Sequence, residues 1–130
     1  MSEKTIVSLR LATFGDTSPA LFESLQRRFP TANTWAKGER NSKYGVVEKS
    51  SGIEVLPPTD KGQINDRIVA VLSLVEPHAE EIRDFATEGV VQITCVIYFE
   101  ESFPALNFSP ELISQIAGIG ASLDIDVYPM

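Results

Sequence analysis

The sequence predicts a single α+β domain spanning residues 1–130, built as a two-layer sandwich with the element order β-α-β-β-α-β-α-β. Three observations carry this prediction. The first apolar segment alternates with the period of a half-buried strand, three later segments repeat with the period of a helix, and residues 90–99 form one apolar strand. Strands with one wet face favour a largely antiparallel sheet, here of four or five strands, packed with three helices.

Patterns in the first half of the chain predict a strand, a helix and a hairpin. In the opening strand the buried positions are Val7, Leu9 and Leu11. Ser18 and Pro19 form the capping pattern of a helix, which Pro30 ends because proline has no amide hydrogen to donate. Residues 30–44 show no periodicity and predict a long loop, whereas residues 44–56 predict a hairpin of two short strands.

A long helix follows two consecutive prolines. Asp60 and Gln63 have the spacing of a capping box, in which side chains accept hydrogen bonds from free amides at the start of a helix. The apolar period then continues through Pro77. Because a proline ring crowds the preceding turn, Pro77 predicts a kink or a restart of this helix.

The last quarter of the sequence predicts a β-α-β unit. It begins with the strand at 90–99, whose odd-numbered residues share one face. Ser109 and Pro110 repeat the capping pattern of the first helix, and Gly120 suits the left-handed residue that ends a helix. Residues 123–128 alternate again and close the fold.

The composition limits the location and the partners that we expect. No apolar run approaches the roughly 20 residues that span a membrane, and the single Cys95 forms no internal disulfide, so we expect a cytoplasmic protein. A net charge of −7 argues against nucleic acid as a partner, because phosphate binding needs a basic surface. The charge is uneven, since residues 27–49 carry +4 and the remainder −11.

The basic segment contains the first candidate site. Trp35, Lys37, Arg40, Lys43 and Tyr44 combine aromatic rings, which stack on flat ligands, with cations that neutralise an anion. These residues predict a surface for a small anionic ligand or an acidic peptide. The other interpretation is that Trp35 folds back onto the core while the cations stay solvated.

A polar cluster on the first and last strands is the second candidate. Asp124 and Asp126 share one face of the final strand, about 6.6 Å apart, and Tyr128 projects to the same face. Opposed carboxylates could bind a divalent ion or act as acid and base, but no third ligand neighbours them and we predict no metal site. Arg10, on the wet face of the first strand, would pair with them if the terminal strands were neighbours.

Other residues that could carry chemistry have simpler explanations. Cys95 has the parity of the buried residues in its strand and no neighbouring base, so we interpret it as a small core residue. His78 is the only histidine and is expected on an exposed helical turn. Zinc spacings and phosphate-binding loops are absent from the sequence, so we predict no cofactor and lean against an enzyme.

Five segments in a fixed order carry a resemblance to a known family. They are Val7-Ser8-Leu9-Arg10-Leu11, Pro19, Trp35-Ala36-Lys37-Gly38, Phe108-Ser109-Pro110-Glu111-Leu112 and Leu123-Asp124-Ile125-Asp126-Val127-Tyr128. Over nearly its full length the chain resembles a bacterial family called the domain of unknown function 4279. That family usually carries a Trp in the strand after the basic loop, where this chain has Val46-Val47. The resemblance supports the fold and implies no activity.

We therefore expect a protein that acts by binding, as a protein-interaction module of the immunity or accessory type. The predicted surfaces are the basic aromatic loop and an acidic stripe on the long helix. The stripe consists of Glu76, Glu80, Glu81, Asp84 and Glu88. The alternative is a small-molecule sensing domain that holds an anionic ligand at the basic aromatic loop. A homodimer is also compatible with the sequence.

Overall fold

The computed structural model describes residues 3–38, 50–59, 61–101 and 105–129. Its strands are β1 (Glu3–Thr13), β2 (Asn33–Trp35), β3 (Gly52–Val55), β4 (Gly89–Phe99) and β5 (Ser122–Pro129). They form one sheet in the order β2-β3-β1-β4-β5. Neighbouring strands are antiparallel except β4 and β5, which are parallel. The predicted α+β fold with a largely antiparallel sheet is confirmed.

The helices share one side of this sheet. They are α1 (Pro19–Arg28), α2 (Ile64–Val75), α3 (Ala79–Ala86) and α4 (Pro110–Gly118). α2 contacts β1, α3 contacts β4, α4 contacts β5, and α1 packs on α3. The odd-numbered residues from Val7 to Leu11 in β1 and from Val91 to Ile97 in β4 are buried against the helices in one apolar core. The even-numbered side chains of these strands therefore project to the opposite side.

The helix ends follow the capping patterns in the sequence. The hydroxyl of Ser18 accepts a hydrogen bond from the amide of Leu21 at 3.4 Å, and that of Ser109 accepts one from Leu112 at 3.1 Å. Gly120 has a φ of 76° and occupies the left-handed position after α4. These three predictions are confirmed. Helix caps can be predicted from sequence since each depends on residues that are close along the chain.

The long helix is interrupted at Pro77, as predicted. α2 ends at Val75, a 3-10 turn covers Glu76–His78, and α3 restarts the helix at Ala79. Pro77 has no amide hydrogen to donate to the preceding turn, and the short 3-10 turn accommodates it between the two helices.

The start of α2 differs from the prediction. Gln63 is the capping residue, and its amide donates to Oδ2 of Asp66 at 3.0 Å. The three-residue spacing of a capping box is therefore present, but it begins at Gln63. Asp60, which the sequence suggested as the cap, lies outside the described residues.

The segment predicted as a loop over 30–44 contains the strand β2, so that prediction was wrong at Asn33–Trp35. Three residues are too few to show an alternation, and the strand depends on pairing with β3, where Trp35 lies opposite Gly52. The second strand of the predicted hairpin is confirmed as β3. Its predicted partner around Val46-Val47 lies outside the described residues.

Candidate functional site

The face of the sheet that points away from the helices, called the open face below, carries most of the predicted site residues. It consists of Asn33 and Trp35 on β2, Gly52 and Glu54 on β3, Lys4, Ile6, Ser8, Arg10 and Ala12 on β1, Val90, Gln92, Thr94, Val96 and Tyr98 on β4, and Ser122, Asp124, Asp126 and Tyr128 on β5. In the described part of the chain, the buried helix residues belong to the core on the other side. Ile6 and Tyr128 are 39% and 48% exposed. These two side chains are therefore accessible to a partner, whereas Ser8, between Ile6 and Arg10 on β1, is buried.

Trp35 lies flat on the backbone of Gly52. A Cβ added to Gly52 would lie 2.0, 2.3 and 2.5 Å from Cζ2, Cη2 and Cε2 of the indole. One point can be so nearly equidistant from neighbouring ring atoms only if it lies above the ring plane, so one indole face rests on Gly52. The guanidinium carbon of Arg10 lies over the ring, 4.6 Å from its centroid, and must cover the outer face. Neither face of Trp35 is left for a ligand ring.

Arg10 has polar neighbours but no ion-pair partner among the described residues. Glu54 lies opposite it on β3 and Gln92 opposite it on β4. Glu54 accepts a hydrogen bond from Nδ2 of Asn33 at 3.3 Å instead. The one ion pair within 4.0 Å in the described residues joins two helices elsewhere. The guanidinium therefore lies over the indole with its N–H groups available to an anion.

The structure does not bring Arg10 together with Asp124 and Asp126. That pairing required the first and last strands to be neighbours, but β4 lies between β1 and β5, so the predicted pairing is wrong. The two carboxylates lie beside Thr94 and Val96 of β4 instead. Both are half-buried, and neither forms an ion pair with a described residue. Their charges are consequently left for water or for a partner to neutralise.

Two tyrosines stack at the other end of the open face. Tyr98 and Tyr128 lie side by side on β4 and β5, with ring centroids 5.5 Å apart and planes 26° from parallel. Tyr128 is among the site residues predicted from the sequence, whereas Tyr98 and Gly52 are not. The alternation along 90–99 already put Tyr98 on the wet face, but only the strand order shows that it neighbours Tyr128.

The predicted basic aromatic cluster is described only in part. Trp35 and Lys37 lie within the described residues, whereas Arg40, Lys43 and Tyr44 lie outside them. The amide of Lys37 donates to the hydroxyl of Ser51 at 2.9 Å, which ties the end of β2 to the start of β3. The Lys37 side chain is exposed. The structure thus joins Trp35 to Arg10, a member of the other predicted cluster.

The acidic stripe divides into exposed and engaged residues. Glu81 accepts hydrogen bonds from the hydroxyl of Ser24 at 2.9 Å and from Nε of Arg28 at 3.0 Å. The bond from Ser24, aided by the bond and charge of Arg28, lowers the pKa of Glu81 although burial opposes the shift. Glu88 accepts from the amide of Ser18 at 3.0 Å. These bonds attach α3 and the residues after it to α1, so the stripe is not one free acidic surface.

Cys95 is buried on the helix side of β4. Burial, together with the negative charge of Asp124, raises the pKa of its thiol to about 11. Such a thiol is protonated near neutral pH, so its nucleophilic form is scarce. His78 packs edge-on against Phe29, with ring centroids 5.3 Å apart. Within the described ranges no group of three or more potential ligands could hold a metal ion, and no helix has the length and apolar character to cross a membrane.

A cleft lies at the margin of the open face. It has a volume of about 390 Å³ and opens beside β1, where the chain turns away after β3. Lys4, Leu56 and Arg67 are among its lining residues. Arg67 donates to the carbonyl oxygens of Thr5 and of Gly62, the latter at 3.1 Å, so its guanidinium is fixed at the wall of the cleft.

Comparison with known proteins identifies the chain at the level of a family. No curated protein and no solved structure matches it. A family model matches residues 3–130, which include every strand and helix described above. The chain belongs to the family described as a domain of unknown function (DUF4279).

Proposed function

We propose that this chain is a protein-interaction domain and that the open face is its binding surface. The observation that carries the proposal is a sheet surface five strands wide over which no described helix lies. Exposed Ile6 and Tyr128 lie on it. Apolar and aromatic side chains gathered on one exposed surface are typical of an interaction site.

The residue types on the open face support the same proposal. Trp, Tyr and Arg contribute most of the energy in protein interfaces, and here Arg10 with Trp35 lies towards one end of the face and the Tyr98–Tyr128 pair at the other. The surface is the outer face of a sheet, whereas sites for small molecules are concave. The immunity or accessory type remains our proposal for the class of protein, and a cytoplasmic location our expectation.

A pair of variants tests the binding surface. Tyr128→Ser removes an aromatic ring from the open face, and Ile113→Ser removes an apolar side chain of similar exposure, 52%, from α4. Immobilised wild type and both variants are incubated with lysate of the source cell, and captured proteins are quantified by mass spectrometry. We expect Tyr128→Ser to reduce capture of a partner by roughly tenfold, the effect of an interface anchor, and Ile113→Ser to leave it unchanged.

The result that contradicts the proposal is capture that both variants retain equally, or capture that only Ile113→Ser loses. The second result would move the binding surface to the helices. Circular dichroism of both variants checks that each is folded before capture is compared.

A second candidate function is the sensing of a small anion. Its support is the cleft that contains Lys4 and Arg67, because two cations beside apolar Leu56 suit an anion with an apolar part. A ligand at a hundredfold over its dissociation constant raises the melting temperature by roughly ten degrees for a domain of this size. Lys4→Gln should reduce that shift and Lys61→Gln, outside the cleft, should not. A panel of carboxylates and nucleotides that gives no shift would reject this candidate.

A further inference from the structure

We infer that the open face binds a second copy of this chain, face to face, about a two-fold axis that runs parallel to the strands over β4. The inference rests on the proposed function, since it names the occupant of the same surface. It depends on how charge is distributed over three neighbouring strands.

Charge changes sign across these three strands. On the open face β1 contributes Lys4 and Arg10 and no acid, and β5 contributes Asp124 and Asp126 and no cation. β4 lies between them and contributes only uncharged side chains. None of the four charged residues forms an ion pair with a described residue. A surface that is positive along one strand and negative along the next but one is complementary to itself.

Symmetry selects one arrangement of the two copies. A two-fold axis along β4 places β1 of each copy against β5 of the other. The register then puts Asp124 and Asp126 of one copy opposite Ser8 and Ile6 of the other. Arg10 and Lys4 lie two residues further along β1, about 6.7 Å away, and their long side chains can reach the acids, twice per dimer. An axis across the strands would place β1 against β1 and oppose like charges, which is unfavourable. Either axis keeps the strands of the two sheets nearly aligned, as packed sheets prefer, so the charges decide between them. Trp35 contributes by holding Arg10 on the open face.

The overlap predicts a weak dimer. Three strands overlap when the axis lies over β4, which gives a width of roughly 14 Å and, over the length of β1 from Lys4 to Ala12, a height of roughly 27 Å. Each copy then buries on the order of 400 Å², which is below the area of a stable complex. Association should therefore depend on concentration, and salt should weaken it because the contacts are between charges.

Charge exchange tests this arrangement. The cation variant Lys4→Glu/Arg10→Glu and the acid variant Asp124→Lys/Asp126→Lys each place like charges across the interface. Sedimentation velocity of each variant alone should show association at least roughly tenfold weaker than that of the wild type. An equimolar mixture of the two should restore a heterodimer, because every β1–β5 contact again joins opposite charges.

A matched control separates this result from general charge attraction. Arg27→Glu/Lys61→Glu changes the net charge by the same amount at exposed positions outside the open face. This control should dimerise like the wild type. When it is mixed with the acid variant, it should not form the heterodimer that the cation variant forms. A wild type that stays monomeric up to about millimolar concentration, or a dimer that neither variant weakens, overturns the inference. The Tyr128→Ser capture experiment would then still decide the proposed function, because it detects foreign partners.

Discussion

Gly52→Ala is expected to lift Trp35 off the sheet. The added methyl carbon would lie 2.0 Å from Cζ2 of the indole. Non-bonded carbon atoms approach to about 3.5 Å, so the ring must move outward by roughly 1.5 Å. The neighbouring atom belongs to a side chain on a three-residue edge strand, which can move without unfolding the core.

The cost follows from the contacts that the movement breaks. One face of the indole, on the order of 50 Å², becomes exposed to water, which lowers the free energy of unfolding by about 1.3 kcal/mol. The contact with Arg10 contributes about 0.5–1 kcal/mol at an exposed site and is also weakened. Replacing glycine within a strand regains about 0.5–1 kcal/mol of backbone entropy. The net destabilisation is about 1 kcal/mol, which lowers the melting temperature by about 3–5 °C.

Fluorescence reports the movement directly, because Trp35 is the only tryptophan. We expect Gly52→Ala to shift the emission to longer wavelength and to increase quenching by acrylamide. Gly118→Ala is the matched control, since a Cβ there meets nothing within 4 Å. It should leave the emission unchanged and the melting temperature unchanged or raised, because alanine favours a helix.

A double variant isolates the cause. In a Trp35→Ala background there is no indole to displace, so adding Gly52→Ala should be neutral or stabilising. If Gly52→Ala costs the same with and without the indole, the clash is not the reason for the loss, and the stacking geometry of Trp35 on Gly52 is refuted.

Three further predictions concern the core and the helix contacts. Gly120→Ala should cost about 2 kcal/mol in thermal unfolding, because φ is 76° and the new Cβ would lie 2.7 Å from that of Ala86; an unchanged melting temperature would contradict this. Cys95, with a thiol pKa of about 11, should resist iodoacetamide at pH 8 until denaturant is added, and rapid native labelling would show that the thiol is accessible. The lowered pKa of Glu81 means that its bonds stabilise the fold above the ordinary pKa of a glutamate and lose this effect as pH falls through the folded pKa. Glu81→Gln should therefore cost up to about 1 kcal/mol at pH 7, and the difference from the wild type should shrink in acid.

Local sequence patterns predicted the parts of the fold that local interactions determine. The serine caps of α1 and α4 and the restart at Pro77 each depend on residues within one helical turn. The alternation along β4 predicted its buried face because a strand between two others has a strict period. β2 was missed because its three residues are specified by pairing with β3 and by the bare backbone of Gly52, neither of which has a local signature.

Strand order determines which side chains are neighbours on the open face. Because the strand order could not be predicted from the sequence, the arrangement of the candidate site could not be predicted either. The clusters around Trp35 and around Asp124 were each recognised by residue type, but their arrangement was not. β4, α4 and β5 form a β-α-β unit with parallel strands. Because β1 pairs with one edge of β4 along its whole length, β5 occupies the other edge. Arg10 forms no ion pair with either acid in the described residues, because β4 lies between their strands and the guanidinium is held over Trp35. These charges are therefore not neutralised across β4 within one chain, and a partner that spans the face can neutralise them.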